Sequence, residues 1–455
     1  MTEAPLIVSV SGIRGIVGQS LTDETIRRFA AAFATWLPQA ARVVIARDTR
    51  PSGEAYGRLV STTLQAAGCH VIDLGICATP VAKLMVLELK AQGALILTAS
   101  HNSASWNGLK LIRADGIFLN AHDGARVESA YHERRVRTAP APGNSKSVDA
   151  DTVREIHFER LLAAIDVDLI RGAQLRAAVD PCNGAGAIYV EQLLDLLGVE
   201  AHLIHAEPSG EFAHDPEPIA ENLIDLGRTV TDADCHIGFA IDPDADRVTL
   251  VGADGLPLGE DLTLALAVQS VTARQRGPVV TTLSTSQIVS DAASVNGCPV
   301  ILTPVGEVHV MDAMIAEGAV IGGEGNGGVI LTTVDPGRDA AVGMALVLEA
   351  MARSRQPLYR IVGRLPKYVI EKRKVSDVDT QDQQRAIQRL VEAYPSAERH
   401  PVEDGVKLYI DGSRRCPWIH LRPSNTEPVV RIIAESESRD QALELCDRAQ
   451  EGLQG

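Results

Sequence analysis

The sequence predicts an α/β protein whose sheets are largely parallel. Short β-rich apolar runs alternate with amphipathic helical segments over most of the chain, as in a strand at 42–46, a helix at 56–67 and a strand at 70–74. This alternation is typical of βαβ units. The 455 residues suffice for about three or four domains. The hydrophobic share of 45% and the charged share of 22% are ordinary for a globular protein.

The charge balance bears on the kind of partner. The chain has 43 Lys and Arg against 59 Asp and Glu, a formal net charge of −16. Because nucleic-acid binding depends on neutralising phosphates, we expect no nucleic-acid partner. An anionic substrate would need local arginines, backbone N–H groups or a metal ion to offset this field.

The lack of a visible targeting signal and the pattern of cysteines favour a cytoplasmic protein. The amino-terminal residues lack the basic and apolar regions of a signal peptide, and no apolar stretch reaches the length of a membrane span. The seven cysteines are scattered without a C-x-x-C pair, so we expect reduced, mostly buried thiols. We therefore expect a cytoplasmic protein with no membrane partner; nothing in the sequence indicates an oligomeric state.

Breaks in the pattern divide the chain. The stretch 138–147 is rich in Pro, Ser and Gly and should not form a core. Further α/β units follow, and the last part mixes a helix at 381–392 with strands at 406–410 and 429–434. We predict four domains, at 1–145, 146–251, 252–364 and 365–455.

In each of the first three units, an apolar run ends in a polar or glycine-rich loop. These loops are 98–102, 242–247 and 322–328. Ligands of open α/β sheets bind beyond the carboxyl ends of the strands, so we expect the three loops to line one cleft.

The first loop, Thr98-Ala-Ser-His-Asn102, offers a serine at a strand end. Such a serine can carry a phosphoryl group when an acid–base partner and a cation are near. His101 and Lys110 are the nearby candidates for proton transfer. The alternative is that Ser100 or Asn102 caps a following helix.

The second loop is the most specific. Asp242, Asp244 and Asp246 alternate, so an extended backbone would project all three carboxylates to one side. Crowded carboxylates repel each other unless a cation is present, and their oxygens suit Mg²⁺, which keeps positions open for phosphate oxygens. A solvated acidic turn is the alternative. Zinc is disfavoured because no Cys/His set accompanies them.

Two further loops offer groups for a sugar phosphate. Gly322–Gly328 holds five glycines, so a ligand could approach its backbone closely, and Glu324 and Asn326 could read hydroxyls; a structural tight turn is the alternative. The segment 422–428 followed by Arg431 supplies arginines, hydroxyls and an amide that suit a phosphate, unless it is a solvated polar loop. Its candidate residues are Arg422, Ser424, Asn425, Thr426 and Arg431.

Together these segments resemble those of the α-D-phosphohexomutase family. Over essentially the whole chain and in the family's order, the similar segments are Ser11–Gly15, the phosphoserine loop Thr98–Asn102, the magnesium loop Asp242–Arg247, the sugar loop Gly323–Gly328 and the phosphate loop Arg422–Pro428. The resemblance implies three similar α/β domains with mixed, largely parallel sheets and a smaller α+β C-terminal domain around one central cleft.

The resemblance also implies a mechanism. Ser100 would rest as a phosphoserine, with Mg²⁺ held by that phosphate and by Asp242, Asp244 and Asp246. It would convert a hexose monophosphate into a hexose 1,6-bisphosphate and then take back the other phosphate. Arg14 and Arg247 would flank the phosphoserine, and Lys110 is the acid–base candidate. Catalysis would be positioning and electrostatics.

Several positions depart from the family pattern. Ser103 replaces a frequent proline, Ala245 a frequent glycine, and Asn425 another glycine, where Asn tolerates a positive φ. The sugar loop lacks the Ser-Gly-His ending of many bacterial members and is similar to that of archaeal-type members. Ser103 should alter the stiffness of its loop more than the chemistry, and the sugar-loop departure concerns substrate choice and not the class of reaction.

We therefore predict an intramolecular phosphotransferase that interconverts hexose 6-phosphate and hexose 1-phosphate, with glucosamine phosphate as the expected sugar. Phosphomannomutase or phosphoglucomutase activity is the alternative, and a metal-dependent sugar phosphatase a more remote one. A non-catalytic sugar-phosphate binder is disfavoured because Ser100 and the three aspartates occur together.

Overall fold

The strands form four sheets, each built from one stretch of the chain. The computed structural model describes residues 6–9, 12–376, 378, 380–402, 405–423 and 429–454. The first three sheets combine parallel and antiparallel pairs, and the fourth is antiparallel throughout. This confirms the predicted fold class.

The first sheet has seven strands in the order β1-β2-β6-β5-β3-β4-β7. They are β1 Ile7–Ser9, β2 Gly12–Ile16, β3 Arg42–Arg47, β4 His70–Ile76, β5 Gly93–Leu97, β6 Trp106–Arg113 and β7 Ser145–Ser147. The helices of this part are α1 Asp23–Trp36, α2 Gly53–Ala66, α3 Thr79–Glu88, α4 Ala121–His132, α5 Ala150–Ala163 and α6 Val167–Gly172. The predicted elements at 42–46, 56–67 and 70–74 are confirmed. The polar stretch 138–147 ends in β7, an exposed edge strand beside β4.

The second sheet has the order β11-β10-β8-β9. Its strands are β8 Arg176–Asp180, β9 Glu200–Leu203, β10 Ile237–Ile241 and β11 Val248–Gly252, with helices α7 Val190–Leu196 and α8 Ile224–Asp232. Every residue of β10 is buried, as expected for a central strand covered on both faces. Asp242 follows β10 directly, at its carboxyl end.

The third sheet has the order β13-β12-β14-β15. Its strands are β12 Val279–Thr282, β13 Val300–Thr303, β14 Ile321–Glu324 and β15 Gly328–Ile330. Its helices are α9 Asp261–Arg274, α10 Gln287–Ser294, α11 Glu307–Glu317, α12 Ala340–Ser354 and α13 Leu358–Val362. The predicted sugar loop is the hairpin between β14 and β15.

The fourth sheet has the order β16-β20-β19-β18-β17. Its strands are β16 Val369–Ser376, β17 Glu398–His400, β18 Val406–Tyr409, β19 Trp418–Pro423 and β20 Val429–Ser436. Helices α14 Thr380–Ala393 and α15 Arg439–Gln454 belong to the same unit. The predicted helix at 381–392 and strands at 406–410 and 429–434 are confirmed.

The apolar cores show how the four units are joined. One continuous core includes buried residues of all three mixed sheets, such as Ile96, Phe239 and Val279. The fourth unit has its own core, which includes Ile419 and Leu445. The first three units therefore share apolar packing along their borders, while the fourth buries a separate core.

In the described part of the chain, no helix combines the length and apolarity needed to cross a membrane. Six of the seven cysteines are buried and none of the seven forms a disulfide, in agreement with the expected reduced thiols.

Candidate active site

Ser100 lies in a turn between β5 and β6, and its side chain reaches the end of the second sheet. Its backbone adopts a left-handed φ of +50°, and its N–H donates to Thr98 Oγ1 at 2.9 Å. Ser100 Oγ donates to Asp242 Oδ2 at 3.1 Å and accepts from Arg247 Nη2 at 2.9 Å. Because a strand follows this turn, the alternative that Ser100 or Asn102 caps a helix is wrong.

Arg50 supports this turn, although the sequence analysis did not select it. Its guanidinium donates to four carbonyl oxygens at 2.5 to 2.9 Å, those of Ser100, Asn102, Ser103 and Trp106. Its Nε donates to Asp48 Oδ2 at 3.0 Å, and both side chains are fully buried. One signal could have identified it: Asp48-Thr-Arg50 follows the buried strand β3, just as the selected loops follow their strands.

The backbone from Asp242 to Asp246 forms a turn, so the expectation of an extended segment is wrong. Ala245 has a left-handed φ of +58°, and its N–H donates to the Asp242 carbonyl at 2.9 Å. Asp242 Oδ1 accepts the N–H groups of Asp246 and Arg247, both at 3.1 Å. Such side-chain to backbone bonds favour turns over strands. The turn nevertheless brings oxygens of the three carboxylates within 4.8 Å of one another.

These three carboxylates fit a hard cation. All three aspartates are completely buried. Within the described chain, the buried Oδ1 atoms of Asp244 and Asp246 accept no hydrogen bond. Because an unsatisfied buried carboxylate oxygen is costly, oxygen-only donors of this kind are suited to a divalent ion. The acidic cluster could therefore bind a metal ion.

Four basic side chains surround the acidic cluster. Lys110 Nζ donates to Asp244 Oδ2 at 2.5 Å and to Asp246 Oδ2 at 3.0 Å. Arg247 Nε lies 3.1 Å from Asp242 Oδ2, and Arg338 Nη2 lies 2.8 Å from Asp246 Oδ2. The fourth is Arg14, whose guanidinium interacts electrostatically with Asp244 and Asp246.

The aspartates differ in how far these cations stabilise them. Burial, followed by the charges of Asp246 and Asp244, raises the pKa of Asp242. Burial also opposes ionisation of Asp246, but Arg338, Lys110 and Arg247 outweigh it, so the pKa of Asp246 lies well below its usual range. Asp246 is thus firmly ionised, whereas the negative charge of Asp242 is costly unless a further cation is present.

Lys110 and His101, the two candidates for proton transfer, have different contacts and opposite pKa shifts. Lys110 lies on β6 and contacts the acidic cluster; burial opposes its charge, but Asp244 and Asp246 outweigh that effect and raise the pKa of Lys110. His101 Nδ1 lies 3.3 Å from Ser100 Oγ. The charge of Arg247, then burial and the charge of Arg14, lower the pKa of His101 to about 2, so its imidazole is neutral.

Arg14 and Arg247 both contact the Ser100 turn. Arg14, on β2, donates through Nη1 to Asn102 Oδ1 at 3.4 Å. Arg247 contacts Ser100 directly, as described above. The structure therefore brings together Arg14, Ser100, His101 and Arg247, which come from two different sheets.

The sugar-loop candidates already have partners. Glu324 ends β14, is buried, and accepts from the Gly306 N–H at 3.1 Å and from Arg338 Nη1 at 2.5 Å. Asn326 Oδ1 accepts the Gly328 N–H at 3.3 Å, inside the hairpin. A ligand hydroxyl would therefore meet a carboxylate that is held in place and shares its charge with an arginine.

Gly327 joins the sugar loop to the second sheet. Its φ is +84°, and an added Cβ would lie 2.5 Å from the carbonyl oxygen of Val248. Its own carbonyl accepts the Val248 N–H at 3.0 Å. Because Val248 begins β11, two residues after Asp246, this contact fixes the sugar loop against the acidic cluster.

Arg338 was also missed by the sequence analysis, although it links both loops. It pairs with Asp246 and Glu324, as described, and its Nε lies 3.0 Å from Glu307 Oε2. Burial opposes its charge, yet Asp246, Glu324 and Glu307 outweigh burial, and the pKa of Arg338 rises well above its usual value. The only sequence signal is the polar segment 335–339 between two apolar runs.

The phosphate-loop candidates are described in part. Arg422 on β19 and Arg431 on β20 are direct cross-strand neighbours. Ser424, Asn425 and Thr426 lie outside the described residues, as does Ser11. The two described arginines therefore come from adjacent strands at the base of the predicted phosphate loop.

Family models of phosphoglucomutase/phosphomannomutase match nearly the whole chain in sequence. The alpha/beta/alpha domains I, II and III match residues 6–137, 155–255 and 259–368, and the C-terminal domain matches residues 372–451. The four models occur once each and in order.

Full-length relatives and solved structures agree with these matches. The chain is 33% identical to a phosphoglucomutase/phosphomannomutase of Thermococcus kodakarensis, over 96% of both chains. It is 34% identical to a probable phosphoglucosamine mutase of Methanopyrus kandleri, over 96% of this chain and 95% of that one. A crystal structure of a phosphoglucomutase/phosphomannomutase family protein from Burkholderia thailandensis has the same fold, with a TM-score of 0.82, 24% identity and 98% of each chain covered.

Proposed function

Because this chain belongs to the phosphoglucomutase/phosphomannomutase family and is therefore a hexose phosphate mutase, we propose that Ser100 is the residue that carries its phosphoryl group. One observation supports this most strongly. Ser100 Oγ lies between Arg247 and Asp242, at 2.9 and 3.1 Å. A phosphate there would meet a guanidinium and lie beside the acidic cluster, which suits phosphoryl transfer with charge neutralisation.

The proposed reaction has two matching halves. In the first, the P–Oγ bond of phospho-Ser100 breaks and a P–O bond forms to the free hydroxyl of a hexose monophosphate, which gives a hexose 1,6-bisphosphate. One proton passes from that hydroxyl to Ser100 Oγ, and Lys110 and His101 are the candidates to transfer it. In the second half, the bisphosphate binds in the opposite orientation and returns its other phosphoryl group to Ser100.

The acidic cluster is the proposed magnesium site. Asp242, Asp244 and Asp246, with the phosphate of Ser100, would hold Mg²⁺. When bound, Mg²⁺ would supply positive charge to the transferring phosphoryl group. The guanidinium groups of Arg247 and Arg14 would also bind that phosphoryl group, and Arg50 would keep the Ser100 turn in place.

Both orientations of the bisphosphate place the same demand on the sugar site. Contacts to the sugar must be few and shared, so Glu324 is the proposed hydroxyl ligand, assisted by Asn326. Arg422, Ser424, Asn425, Thr426 and Arg431 would bind the phosphate that is not reacting.

Glucosamine phosphate is the proposed sugar substrate. A buried carboxylate at Glu324 would favour an ammonium group at C2, which neutral hexoses lack. The Methanopyrus kandleri relative carries the phosphoglucosamine mutase name, and the Thermococcus kodakarensis relative carries that of a phosphoglucomutase/phosphomannomutase. Glucose and mannose phosphates are therefore the rivals to compare.

A substrate comparison tests this proposal. Purified protein with Mg²⁺ is given glucosamine, glucose or mannose 6-phosphate and a trace of the matching 1,6-bisphosphate, and phosphorus NMR follows the 1-phosphate and inorganic phosphate. We expect 1-phosphate without release of inorganic phosphate, and the highest kcat/KM with glucosamine 6-phosphate. A preference for glucose or mannose would overturn the sugar assignment, and release of inorganic phosphate alone would indicate a phosphatase.

A further inference from the structure

A cluster of two histidines and one aspartate lies beside the candidate active site. Asp180 ends β8, and its Oδ2 accepts from His205 Nδ1 at 2.9 Å and from His214 Nε2 at 3.0 Å. Its Oδ1 accepts the Cys182 N–H at 2.8 Å. Asp180 is almost completely buried, and the histidines are partly exposed. In the sheet, Asp180 is paired with Ala240, two residues before Asp242.

The contacts of His214 suit a protonated ring better than a metal ligand. His214 Nδ1 lies 2.7 Å from the Asp215 carbonyl, so both ring nitrogens of His214 face oxygen acceptors. Both contacts are hydrogen bonds when the ring carries two protons and therefore a positive charge. Although the three side chains are of metal-binding types, this arrangement leaves His214 without a free nitrogen lone pair for a metal. The cluster is instead a charged hydrogen-bonded anchor.

The segment between the two histidines packs against the support of the Ser100 turn. Phe212 lies under the guanidinium of Arg50, with its ring centroid 5.0 Å from Arg50 Cζ. Gly210 lies so close to Thr49 that an added Cβ would be 2.1 Å from the Thr49 carbonyl oxygen. Thr49 Oγ1 and the Gly210 N–H both donate to the Asn183 carbonyl, at 2.8 and 3.2 Å.

We propose that Asp180 and His214 are positioning residues for phosphoryl transfer, which anchor segment 205–215 against Arg50 and so hold the Ser100 turn opposite Asp242. The proposal rests on the proposed role of Ser100. Each connection is a contact: His214 to Asp180, Phe212 to Arg50, and Arg50 to the carbonyls of Ser100 and Asn102. Because the anchor belongs to the second unit and Arg50 to the first, it sets the alignment of the two reacting loops.

The charge of His214 makes this anchor sensitive to pH. Burial opposes that charge, but the hydrogen bond and the charge of Asp180 outweigh burial, so the pKa of His214 is raised. His205 and Asp225 are the other titratable groups that face it, and Asp215 contacts it through its main-chain carbonyl. The anchor is complete below the ordinary histidine pKa, and it weakens as the pH rises through the raised pKa of His214.

His214→Gln tests the proposal, with His202→Gln as the matched control. His202 lies on β9 of the same sheet and pairs with Glu200 at 3.2 Å. We expect His214→Gln to lower kcat by roughly 10- to 100-fold, as small displacements of reacting groups do, with KM nearly unchanged. The decline of kcat at alkaline pH that reflects His214 should disappear. His202→Gln should match the wild type.

Hydrogen exchange separates this proposal from the proposed function. Backbone amides of 99–103 should exchange faster in His214→Gln than in the wild type, whether or not the protein is active. Unchanged exchange and unchanged kcat in a folded His214→Gln protein would overturn the positioning role. An inactive wild-type protein would overturn the proposed function, while the exchange comparison would still test the anchor. If His214→Gln does not fold, Phe212→Leu serves in its place, with the same expected loss in kcat and the same overturning result.

Discussion

At the scale of single residues, Ser100 combines an unfavourable backbone with unusual support. A left-handed φ at a residue other than glycine costs on the order of 1 kcal/mol or more, and here it is +50°. Arg50, Thr98 and Arg247 hold the turn through hydrogen bonds to its main chain and side chain. Backbone strain that is supported in this way is typical of functional sites.

Ser100→Ala should abolish mutase turnover, because it removes the hydroxyl that contacts both Arg247 and Asp242. The thermal unfolding temperature should change little, since only one side-chain oxygen is lost. Activity assays and thermal denaturation of the same preparations check both results. Ser103→Ala is the control, because Ser103 is exposed in the same turn and its hydroxyl contacts only Ser105 among the described residues. Near-normal activity of Ser100→Ala would contradict the assignment.

Glu324→Gln should lower kcat/KM for every accepted sugar, because one shared carboxylate serves both orientations of the bisphosphate. A lost hydrogen bond from a charged group is worth about 1.5–3 kcal/mol, or roughly 10- to 150-fold. Steady-state kinetics with the three 6-phosphates measure this change. If Glu324→Gln has no effect on kcat/KM, the sugar-loop assignment is wrong, whereas the mutase reaction itself is not contradicted.

Single residues also mark the limit of sequence reasoning. Ser100 and the three aspartates could be selected because each follows an apolar strand. Arg50 shares that position after a strand, and Arg338 lies in a short polar segment, but neither position reveals the contacts that make these arginines important: Arg50 with residues about fifty positions away and Arg338 with Asp246. A lone arginine in a polar loop carries no local signal of such contacts.

At the scale of elements, the acidic turn and the sugar hairpin determine the geometry of the cleft. The sequence indicated which residues would converge but gave the wrong backbone for the acidic turn. Ala245 carries no preference for a positive φ, so its left-handed conformation could not be foreseen. The conformation follows from the hydrogen bonds that Asp242 makes to the backbone of Asp246 and Arg247.

Removing the divalent cation should abolish activity reversibly, and Mg²⁺ should restore it. Asp244→Asn should lower kcat/KM by roughly 100-fold or more, because a metal contributes several kcal/mol to charge stabilisation. Mg²⁺ should raise the unfolding temperature of the wild type but much less that of the variant. Asp168→Asn is the control at an exposed aspartate. Full activity of the chelated enzyme would contradict a metal role for the cluster.

Gly327→Ala should displace the sugar hairpin from the second sheet. The new Cβ would meet the Val248 carbonyl and require a disfavoured φ, so we expect a loss of about 1–3 kcal/mol in the free energy of unfolding. Denaturant unfolding measures this loss, and kcat/KM should fall with it. Gly172→Ala is the control, since none of the described residues lies within 4 Å of its added Cβ. Equal effects of the two substitutions would contradict a structural role for the contact between Gly327 and Val248.

At the scale of the whole molecule, the arrangement of the units explains how one cleft forms. The alternation of strands and helices correctly predicted the α/β class, and the carboxyl-end rule correctly grouped the Ser100 turn, the acidic turn and the sugar hairpin. The joints between units had no sequence signal, because they depend on contacts such as Val248 with Gly327 and Thr49 with Asn183. The roles of individual site residues stay predictions.

One labelled phosphoryl group shows whether phosphoryl transfer passes through Ser100. The protein is first dephosphorylated with excess hexose 6-phosphate and purified, and is then incubated with a hexose 1,6-bisphosphate whose phosphoryl oxygens carry a heavy isotope. Intact mass and peptide mapping locate the label before and after excess hexose 6-phosphate is added again. We expect one phosphoryl group per chain, on Ser100, which then passes quantitatively to a new bisphosphate. A label on another residue, no label at all, or its release as inorganic phosphate would contradict phosphoryl transfer through Ser100.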